Sequence, residues 1–332
     1  MGRIIGVFSG KGGVGKTMVV VNLALALKEF NRVVTIVDCN ITTPHLSYYL
    51  GAYDYPVTLN NVLRGESDIS MVSYYNKGIY IVPSSNYISN LSMIDVGNLK
   101  SHLKSLSKRS DVVIIDSAPG FGRESMSALM SCDEIILVST PRLPELTDAM
   151  KCSRIAEGLG IRALGLVINM AGITNGEYSK EHIESMTGLP VLGRISFDRK
   201  ITESVKLGMP IVHSDPYSDV SESFRTLAAK ILSEHYVPKH PLKRIYSRLR
   251  HKFKGQDTSR VNLRFEEKVT TVADDILNLV KARESVSIRD ISVNLGLSKS
   301  EAGRWCKILE DKGLVYVKDA MFGDKAVELA KW

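Results

Sequence analysis

The chain has 332 residues, of which 44% are hydrophobic and 24% are charged, and its formal net charge is +7. This length and balance fit one large and one small globular domain, and they exclude a fibrous or disordered chain. The four cysteines, at positions 39, 132, 152 and 306, include no CxxC pair, which argues against a disulfide framework, a zinc site or a cluster scaffold.

The first 235 residues alternate short apolar runs with amphipathic stretches. The apolar runs, which predict strands, are RIIGVFS at 3–9, VVTIVD at 33–38, GIYIVP at 78–83, VVIID at 112–116, EIILVST at 134–140 and ALGLVIN at 163–169. Helices are predicted at 16–29, 91–108 and 145–158. Continuous Val/Ile runs that alternate with helices predict an α/β fold with a doubly wound, mostly parallel sheet. Such sheets bind ligands at the carboxyl ends of their strands.

A phosphate-binding loop follows the first predicted strand. Residues 10–17 read GKGGVGKT, which satisfies the G-x-x-x-x-G-K-[ST] pattern between a strand and a helix. Its glycines let backbone amides turn toward phosphate oxygens, and the following helix adds its positive end. We expect Lys16 to reach the β- and γ-phosphates of ATP and Thr17 to bind Mg²⁺. The predicted nucleotide-binding residues of this segment are Gly10, Lys11, Gly12, Gly13, Val14, Gly15, Lys16, Thr17 and Met18.

An acidic strand end belongs to the same predicted site. The apolar run at 112–115 ends in Asp116, whose carboxylate we expect near the water shell of the metal ion. Thr17 and Asp116 are therefore the predicted metal residues. The next residues, SAPGFG at 117–122, form a loop that is well placed to sense a γ-phosphate.

The phosphate loop carries a second lysine, Lys11, and so resembles the deviant P-loop of the MinD/ParA group. That group includes chromosome- and division-site positioning ATPases, the nitrogenase iron protein, tail-anchored protein targeting factors and Mrp-type iron–sulfur carriers. The resemblance covers residues 2–235, including VDCNITTPHL, DSAPG and FDRKITESVKLGMPIV, and is closest to MinD. It implies an ATP-dependent homodimer in which Lys11 reaches the partner's nucleotide. It also makes Asn169 the residue that reads adenine, although asparagine at a strand end is often a turn former.

One departure from the MinD pattern concerns hydrolysis. MinD-like proteins usually carry two aspartates after the second strand, and the second one positions the attacking water. This chain has Asp38 and Asn40, and an amide orients water but cannot accept its proton. Phosphoryl transfer depends more on positioning and charge than on a strong base, so we predict slow hydrolysis rather than none, unless Asp38 takes over the role. The predicted catalytic residues are Lys11, Lys16, Asp38, Asn40 and Asp116.

The excess charge of the chain lies between residues 236 and 260. This segment contains eight Lys or Arg and one acidic residue, so it carries all of the net +7, and the sequences before and after it are formally neutral. Pro238 and Pro241 interrupt helical continuation and mark a domain boundary. We predict three regions: a P-loop ATPase domain over 1–237, a basic linker over 238–262 and a second domain over 263–332.

Residues 241–255 of the linker predict a basic amphipathic helix. Its apolar face holds Leu242, Ile245, Tyr246, Leu249 and Phe253, and Lys and Arg cover most of the rest. Three interpretations remain open, namely binding to an anionic membrane surface, contact with nucleic-acid phosphates, and packing on the protein's own body. A single such helix would bind lipid weakly, whereas a dimer would carry two of these helices and bind more strongly.

The sequence after residue 263 predicts a small winged helix-turn-helix domain. Helices are predicted at 265–283, 287–294 and 298–312, followed by a hairpin that turns near Gly323. The third helix has the form of one that enters a DNA groove, yet the domain is neutral overall, whereas nucleic-acid modules usually have a basic face. DNA binding, docking of a protein partner and a structural role remain open. Its predicted core positions are Ala302, Trp305, Cys306 and Leu309.

Three functions of different classes follow from these features. The first is a MinD-like positioning ATPase whose dimers lie on the membrane and recruit a partner. The second is a ParA-like or regulatory ATPase that acts on DNA through the linker and the winged helix. The third is an iron–sulfur or targeting carrier, which the missing cysteine pairs disfavour; a non-hydrolysing pseudo-enzyme is also compatible with Asn40. Without a signal-peptide pattern or a long apolar run, we expect a cytoplasmic protein, peripheral to the inner membrane face in the first interpretation.

Overall fold

The computed structural model describes residues 1–52, 55–87, 94–237, 272–295, 297–311, 313–319 and 325–330. They form two compact units, one made of most of the first 264 residues and one made of the residues after them. The predicted linker over 238–262, its helix over 241–255 and the hairpin turn near Gly323 lie outside the described residues. Within the described ranges, no helix is long and apolar enough to cross a membrane.

The first unit is built on one eight-stranded sheet. Its strands are β1 (Arg3–Phe8), β2 (Val34–Cys39), β3 (Tyr74–Asn76), β4 (Ile79–Val82), β5 (Val112–Ser117), β6 (Glu134–Ser139), β7 (Arg162–Ala171) and β8 (Val191–Ser196). Their order across the sheet is β3-β4-β2-β5-β1-β6-β7-β8, and the pairings from β4 to β8 are parallel. The chain leaves β1 at the centre, where strand order reverses, which is where open parallel sheets bind ligands.

Among the described residues of this unit, ten α-helices connect and cover the strands. They are α1 (Lys16–Lys28), α2 (Leu46–Tyr49), α3 (Leu59–Leu63), α4 (Leu99–Ser107), α5 (Arg123–Met130), α6 (Leu143–Gly158), α7 (Lys180–Thr187), α8 (Arg199–Lys206), α9 (Ile211–Ser214) and α10 (Asp219–Leu232). Helix α1 packs against α9 and α10 as well as the sheet, and it is buried along nearly its whole length. Because α1 is surrounded by other elements, its sequence is apolar on every side. Its packing holds the phosphate loop that precedes it in place.

The predicted elements agree with the structure except where they are short or polar. The six predicted strands are confirmed, and their ends lie within two residues of the predicted ends. The strands β3 and β8 were not predicted, because the first has three residues and the second contains a glycine and an arginine. The predicted helix at 91–108 was too long: α4 begins at Leu99. Before it, Asp95 accepts a hydrogen bond from the amide of Gly97 and caps a 3-10 turn.

The loops that follow α2 and α8 touch backbone to backbone. Gly51 and Gly208 have φ angles of 72° and 60°, which favour glycine. A Cβ atom on Gly208 would lie 2.3 Å from the Cα atom of Gly51, which real Cβ atoms do not tolerate. Glycine at both positions therefore allows α2 and α8 to pack together.

The part of the second unit that the structure describes contains three helices and a small sheet. Its elements are α11 (Val272–Arg283), β9 (Ser285–Ser287), α12 (Ile288–Leu295), α13 (Lys299–Asp311), β10 (Val315–Asp319) and β11 (Lys325–Leu329). The strand order is β10-β11-β9, and both pairings are antiparallel. The predicted core positions of α13 are buried, namely Ala302, Trp305, Cys306 and Leu309. Assignment as a winged helix, and its DNA or protein partner, stay predictions.

Candidate nucleotide-binding site

A cavity of about 650 Å³ opens at the carboxyl ends of the strands, beside the phosphate loop. Its lining includes Gly12, Gly13, Gly15, Lys16, Thr17, Met18, Asn40 and Asn169, all of them predicted site residues. A second group of lining residues was not predicted: Met170, Phe197, Asp198, Ile201, Thr202 and Val205. The structure thus brings most predicted residues together and extends the site to α8.

The backbone conformation of the phosphate loop depends on two glycines with positive φ. Gly13 and Gly15 have φ angles of 81° and 90°. A Cβ atom on Gly15 would lie 2.3 Å from the Nδ2 atom of Asn169, so position 15 requires glycine for its conformation and for its surroundings. Gly10 does not line the cavity, because it packs closely against Asp148 of α6.

Lys16 is the buried cation of the loop. It begins α1, is 8% exposed, and donates a hydrogen bond from Nζ to Oγ of Ser9 at 2.9 Å. Ser9 in turn donates to the carbonyl oxygen of Lys11 at 2.6 Å. Burial lowers the pKa of Lys16, and the nearby carboxylate of Asp116 opposes this shift. The ammonium group is held inside the loop, where phosphate oxygens would complete its hydrogen bonds.

Thr17 and Asp116 form the predicted metal position. The Thr17 hydroxyl donates to Oδ2 of Asp116 at 2.6 Å, whereas Oδ1 of Asp116 is buried without a hydrogen-bond partner among the described residues. Burial raises the pKa of Asp116 to about 6, against the lowering effects of Thr17 and Lys16. A hydroxyl beside a carboxylate with one unsatisfied oxygen is a donor set that suits Mg²⁺ and its water shell.

Asp38 lies directly beside Asp116 in the sheet. The two residues are in register on the paired strands β2 and β5. Asp38 is fully buried, and its carboxylate accepts backbone hydrogen bonds from Asn40 at 3.1 Å and Leu46 at 3.2 Å. Burial, followed by the charge of Asp116, raises the pKa of Asp38 well above its usual value. Asp38 therefore fixes the segment from Asn40 to Leu46 and does not line the cavity.

Asn40 lines the cavity but is engaged within its own turn. Its Nδ2 atom donates to the carbonyl oxygen of Thr43, and its Oδ1 atom accepts from the Thr43 hydroxyl at 3.1 Å. The loop after β5 follows the strand that lies between β2 and β1 in the sheet. There the amide of Gly120 donates to the carbonyl oxygen of Ser9 at 3.1 Å, which links the predicted γ-phosphate sensor to the phosphate loop.

Asn169 connects the end of β7 to the phosphate loop. It is 1% exposed, and its Nδ2 atom donates to the carbonyl oxygen of Val14 at 2.8 Å. The next residue, Met170, has a φ angle of 56°, an uncommon conformation for any residue except glycine. The unpredicted lining residues of α8 lie nearby in the cavity wall, within the segment FDRKITESVK. That segment carries no local motif for base binding, so sequence alone gave it no role.

Lys11 is placed differently from Lys16. Its side chain is 47% exposed, and its Nζ atom lies 3.9 Å from Oε1 of Glu145. Glu145 also pairs with Arg142 at 3.1 Å, and its second carboxylate oxygen is buried without a hydrogen-bond partner in the described structure. Neither Lys11 nor Glu145 lines the cavity of this chain.

Comparisons with known proteins agree with this geometry. The ParA model, described as NUBPL iron-transfer P-loop NTPase, matches residues 1–232. The septum site-determining protein MinD of Thermotoga maritima is 30% identical over 244 residues, covering 70% of this chain and 89% of that protein. An iron–sulfur cluster carrier protein of Synechocystis sp. is 28% identical over 254 residues, covering 69% of this chain and 70% of that protein.

Among solved structures, the septum site-determining protein MinD of Pyrococcus horikoshii, complexed with Mg-ADP, matches with a TM-score of 0.68 and 34% identity. The match covers 70% of this chain and 96% of that one. The matched region is the unit that holds the eight-stranded sheet, the phosphate loop and the Thr17–Asp116 pair. The chain therefore belongs to the ParA/MinD family of P-loop ATPases, which use ATP and Mg²⁺, and it is similar to MinD in sequence and structure.

Proposed function

We propose that this chain is an ATP-dependent dimerising switch of the MinD type, which positions or recruits other proteins at a membrane surface. The placement of the two phosphate-loop lysines carries the proposal. Lys16 is buried and lines the cavity, whereas Lys11 is half exposed and lies near Glu145 outside it. Because Lys11 does not line the cavity of its own chain, its ammonium group is available to contact the nucleotide that a second copy binds.

Exposed apolar side chains at the same edge of the sheet support a dimer. Phe121, Leu143, Ile173 and Phe197 follow β5, β6, β7 and β8, and they are between 41% and 55% exposed. Parallel strands end at one edge, so these four side chains lie at the edge of the sheet that holds the nucleotide site. Exposed apolar groups that share one face often mark an interface. The loop of Ile173 is held in place, since Glu177 accepts hydrogen bonds from its backbone amides.

Hydrolysis in such a site depends mainly on positioning. Backbone amides of the phosphate loop and the Lys16 ammonium hold the β- and γ-phosphates in line for attack. Thr17 would hold Mg²⁺ and Asp116 would hold it through water, and the ion would supply positive charge that stabilises negative charge on the phosphate oxygens. Asn40 is the polar side chain at the end of β2 that reaches the cavity. It orients a water molecule but cannot take its proton, so the chain hydrolyses ATP slowly and stays long in its dimeric state.

The basic segment between residues 236 and 260 supports recruitment to an anionic surface. A positively charged amphipathic helix that occurs twice in a dimer binds lipid more strongly than one copy, which would make membrane binding depend on ATP. A ParA-like action on DNA would use the same charges and is the second candidate. A carrier role receives less support, because all four cysteines are buried and none is paired.

Dimerisation is tested by sedimentation velocity of the full chain with ATP, ADP or no nucleotide. Lys11→Ala should bind ATP but remain monomeric, whereas Lys16→Ala should lose ATP binding itself. If Lys11→Ala forms the same ATP-dependent dimer as the unaltered chain, the lysine does not act across an interface and the proposal fails.

Recruitment is tested by cosedimentation with anionic vesicles and, in parallel, with duplex DNA. A Leu249→Glu, Phe253→Glu double variant should lose ATP-dependent lipid binding. A Ser247→Glu, His251→Glu variant adds the same number of glutamates outside the apolar set and serves as the matched control. Binding to DNA without binding to vesicles would favour the ParA-like function instead.

A further inference from the structure

Lys11 has an acidic neighbour on its own chain. Its Nζ atom lies 3.9 Å from Oε1 of Glu145, which belongs to the first turn of α6, after β6. Lys11 follows β1, and β1 and β6 are paired in parallel, so both residues lie at the edge of the sheet that holds the nucleotide site. Opposite charges at this distance attract each other, and the Lys11 ammonium group is therefore held toward α6 in the single chain.

The carboxylate of Glu145 is largely buried and has few partners. Its side chain is 11% exposed, and its Oε2 atom has no hydrogen-bond partner within the described ranges. A buried carboxylate destabilises a protein unless cations or hydrogen-bond donors compensate for the lost water. Helix polarity favours an acidic residue in the first turn of α6, but it does not bring a lysine of the phosphate loop to the same place.

Arg142 is a second cation beside this carboxylate. Its Nη2 atom lies 3.1 Å from Oε1 of Glu145, and its Nε atom donates to Oγ1 of Thr140 at 3.3 Å. Arg142 is also the N-cap residue of α6, so its backbone is fixed next to Glu145. When Lys11 moves away, Arg142 can therefore remain and keep the carboxylate compensated.

The backbone of Lys11 is held independently of its side chain. Its carbonyl oxygen accepts a hydrogen bond from the Ser9 hydroxyl at 2.6 Å, and Ser9 accepts one from Nζ of Lys16 at 2.9 Å. Neither bond involves the Lys11 ammonium group. That group can thus exchange one anionic partner for another without a change in the phosphate loop.

From these contacts we propose that Glu145 restrains Lys11 in the free subunit and thereby weakens ATP-dependent dimerisation. The inference rests on the proposed function, in which Lys11 reaches the nucleotide of a second copy, and it adds a regulation to that step. Lys11 must leave Glu145 to cross the interface, and the phosphate oxygens of the partner's nucleotide then replace the carboxylate. An empty partner offers no such anion, so the restraint also favours ATP-bound subunits over empty ones.

The test is sedimentation velocity of the full chain with ATP and Mg²⁺ over a range of protein concentrations, which gives the dissociation constant of the dimer. Glu145→Gln should dimerise about fourfold more tightly than the unaltered chain, because each dimer frees two lysines and each partly exposed pair contributes about a factor of two. Arg142→Gln should dimerise more weakly by at least about the same factor, because Glu145 then loses its remaining cation when Lys11 leaves.

Glu157→Gln and Arg154→Gln are the matched controls. They remove the same two charges from exposed positions on α6. Both positions lie more than about 13 Å further along the helix than Glu145, and salt screens charges beyond about 8 Å. Both controls should dimerise as the unaltered chain does. ATP binding by each variant reports that its phosphate loop is folded.

The double variant Arg142→Gln, Glu145→Gln separates the restraint from a direct contact between Arg142 and the partner subunit. It should dimerise like Glu145→Gln alone, and a further loss would contradict the role given to Arg142. Equal or weaker dimerisation of Glu145→Gln than of the unaltered chain, with Lys11→Ala still monomeric, would overturn the restraint and leave the proposed function intact. An unaltered chain that stays monomeric with ATP, or an equal dimer of Lys11→Ala, would remove both.

Discussion

Asn169 donates a hydrogen bond to the carbonyl oxygen of Val14 at 2.8 Å and so holds the end of β7 against the phosphate loop. The contact depends on Gly15, because any Cβ atom there would overlap the Asn169 amide. Met170 follows in a left-handed backbone conformation that few side chains adopt, and this turns the chain toward the cavity wall. One buried side chain thus joins the end of β7 to the phosphate loop.

Asn169→Ala should weaken both stability and nucleotide selectivity. The change leaves the buried carbonyl of Val14 without its donor, which costs about 1–3 kcal/mol in the free energy of unfolding. If Asn169 reads adenine, the preference for ATP over GTP should also decrease. Urea denaturation and competition binding measure the two effects. Asn175→Ala, at an exposed position in the loop after β7, is the control and should change neither. An unchanged preference for ATP would remove the adenine role.

Asn40→Asp should accelerate hydrolysis. An aspartate at this position can accept a proton from water, and general base catalysis contributes roughly 100-fold or more where it operates, so we expect at least about a tenfold rise in kcat. The variant should also be less stable without Mg²⁺, because it adds a third carboxylate near Asp38 and Asp116. Steady-state phosphate release at saturating ATP measures the rate. An unchanged kcat would mean that Asn40 does not limit turnover.

The stability of the protein should depend on pH through the protonation of Asp116. Its pKa rises from 3.8 to about 6 on folding, so the folded protein holds a proton that the unfolded chain releases in this interval. Without Mg²⁺ and nucleotide, the free energy of unfolding should therefore fall as the pH rises from about 4 to about 6, by on the order of 2 kcal/mol. Asp38 acts in the same direction.

Asp116→Asn should reduce that fall, be more stable than the unaltered chain above pH 6, and lose Mg²⁺-dependent hydrolysis. Urea denaturation at a series of pH values in EDTA measures the profile. Asp111→Asn changes the residue just before the other end of β5 and should leave the slope as it is. A steep fall that persists in Asp116→Asn would place its origin elsewhere.

Gly208→Ala should lower the free energy of unfolding by more than the positive φ of residue 208 alone explains. The new Cβ atom would lie 2.3 Å from Gly51, so α2 and α8 would have to separate. Gly188→Ala provides the matched control, because Gly188 also has a positive φ, of 69°, but no atom lies within 4 Å of its Cβ position. The control should cost about 1–2 kcal/mol, and Gly208→Ala should cost more and also weaken ATP binding. Equal losses would show that the Gly51 contact has no role in stability.

Much of the phosphate end of the site could be predicted from sequence because its parts are local. The phosphate loop needs glycines, a lysine and a hydroxyl within eight residues, and the strand before it is a continuous apolar run. Asp116 was found in the same way, as the polar end of a buried strand. Thr17 and Asp116 are in contact although they are far apart in the chain, and their role in binding a metal ion stays a prediction.

The α8 wall of the cavity could not be predicted in the same detail because its contacts are not local. Phe197, Ile201 and Val205 line the cavity only because α8 packs against α2, and this packing depends on Gly51 and Gly208. No sequence pattern within the α2 segment or the α8 segment predicts such a contact. Similarly, the engagement of Asn40 with Thr43 depends on the conformation of one turn rather than on residue type.

The contact between Gly51 and Gly208 also bears on how the protein would distinguish one nucleotide state from another. Helix α2 begins at Leu46, whose amide is held by Asp38, and its end meets the end of α8, which lines the cavity. The connection is backbone against backbone, without a side chain that could rotate to absorb a displacement. A shift of the Asn40–Leu46 segment on loss of the γ-phosphate would therefore be transmitted to α8 in the cavity wall. The Asn40 turn and the α8 wall of the cavity would then move together when the bound nucleotide changes.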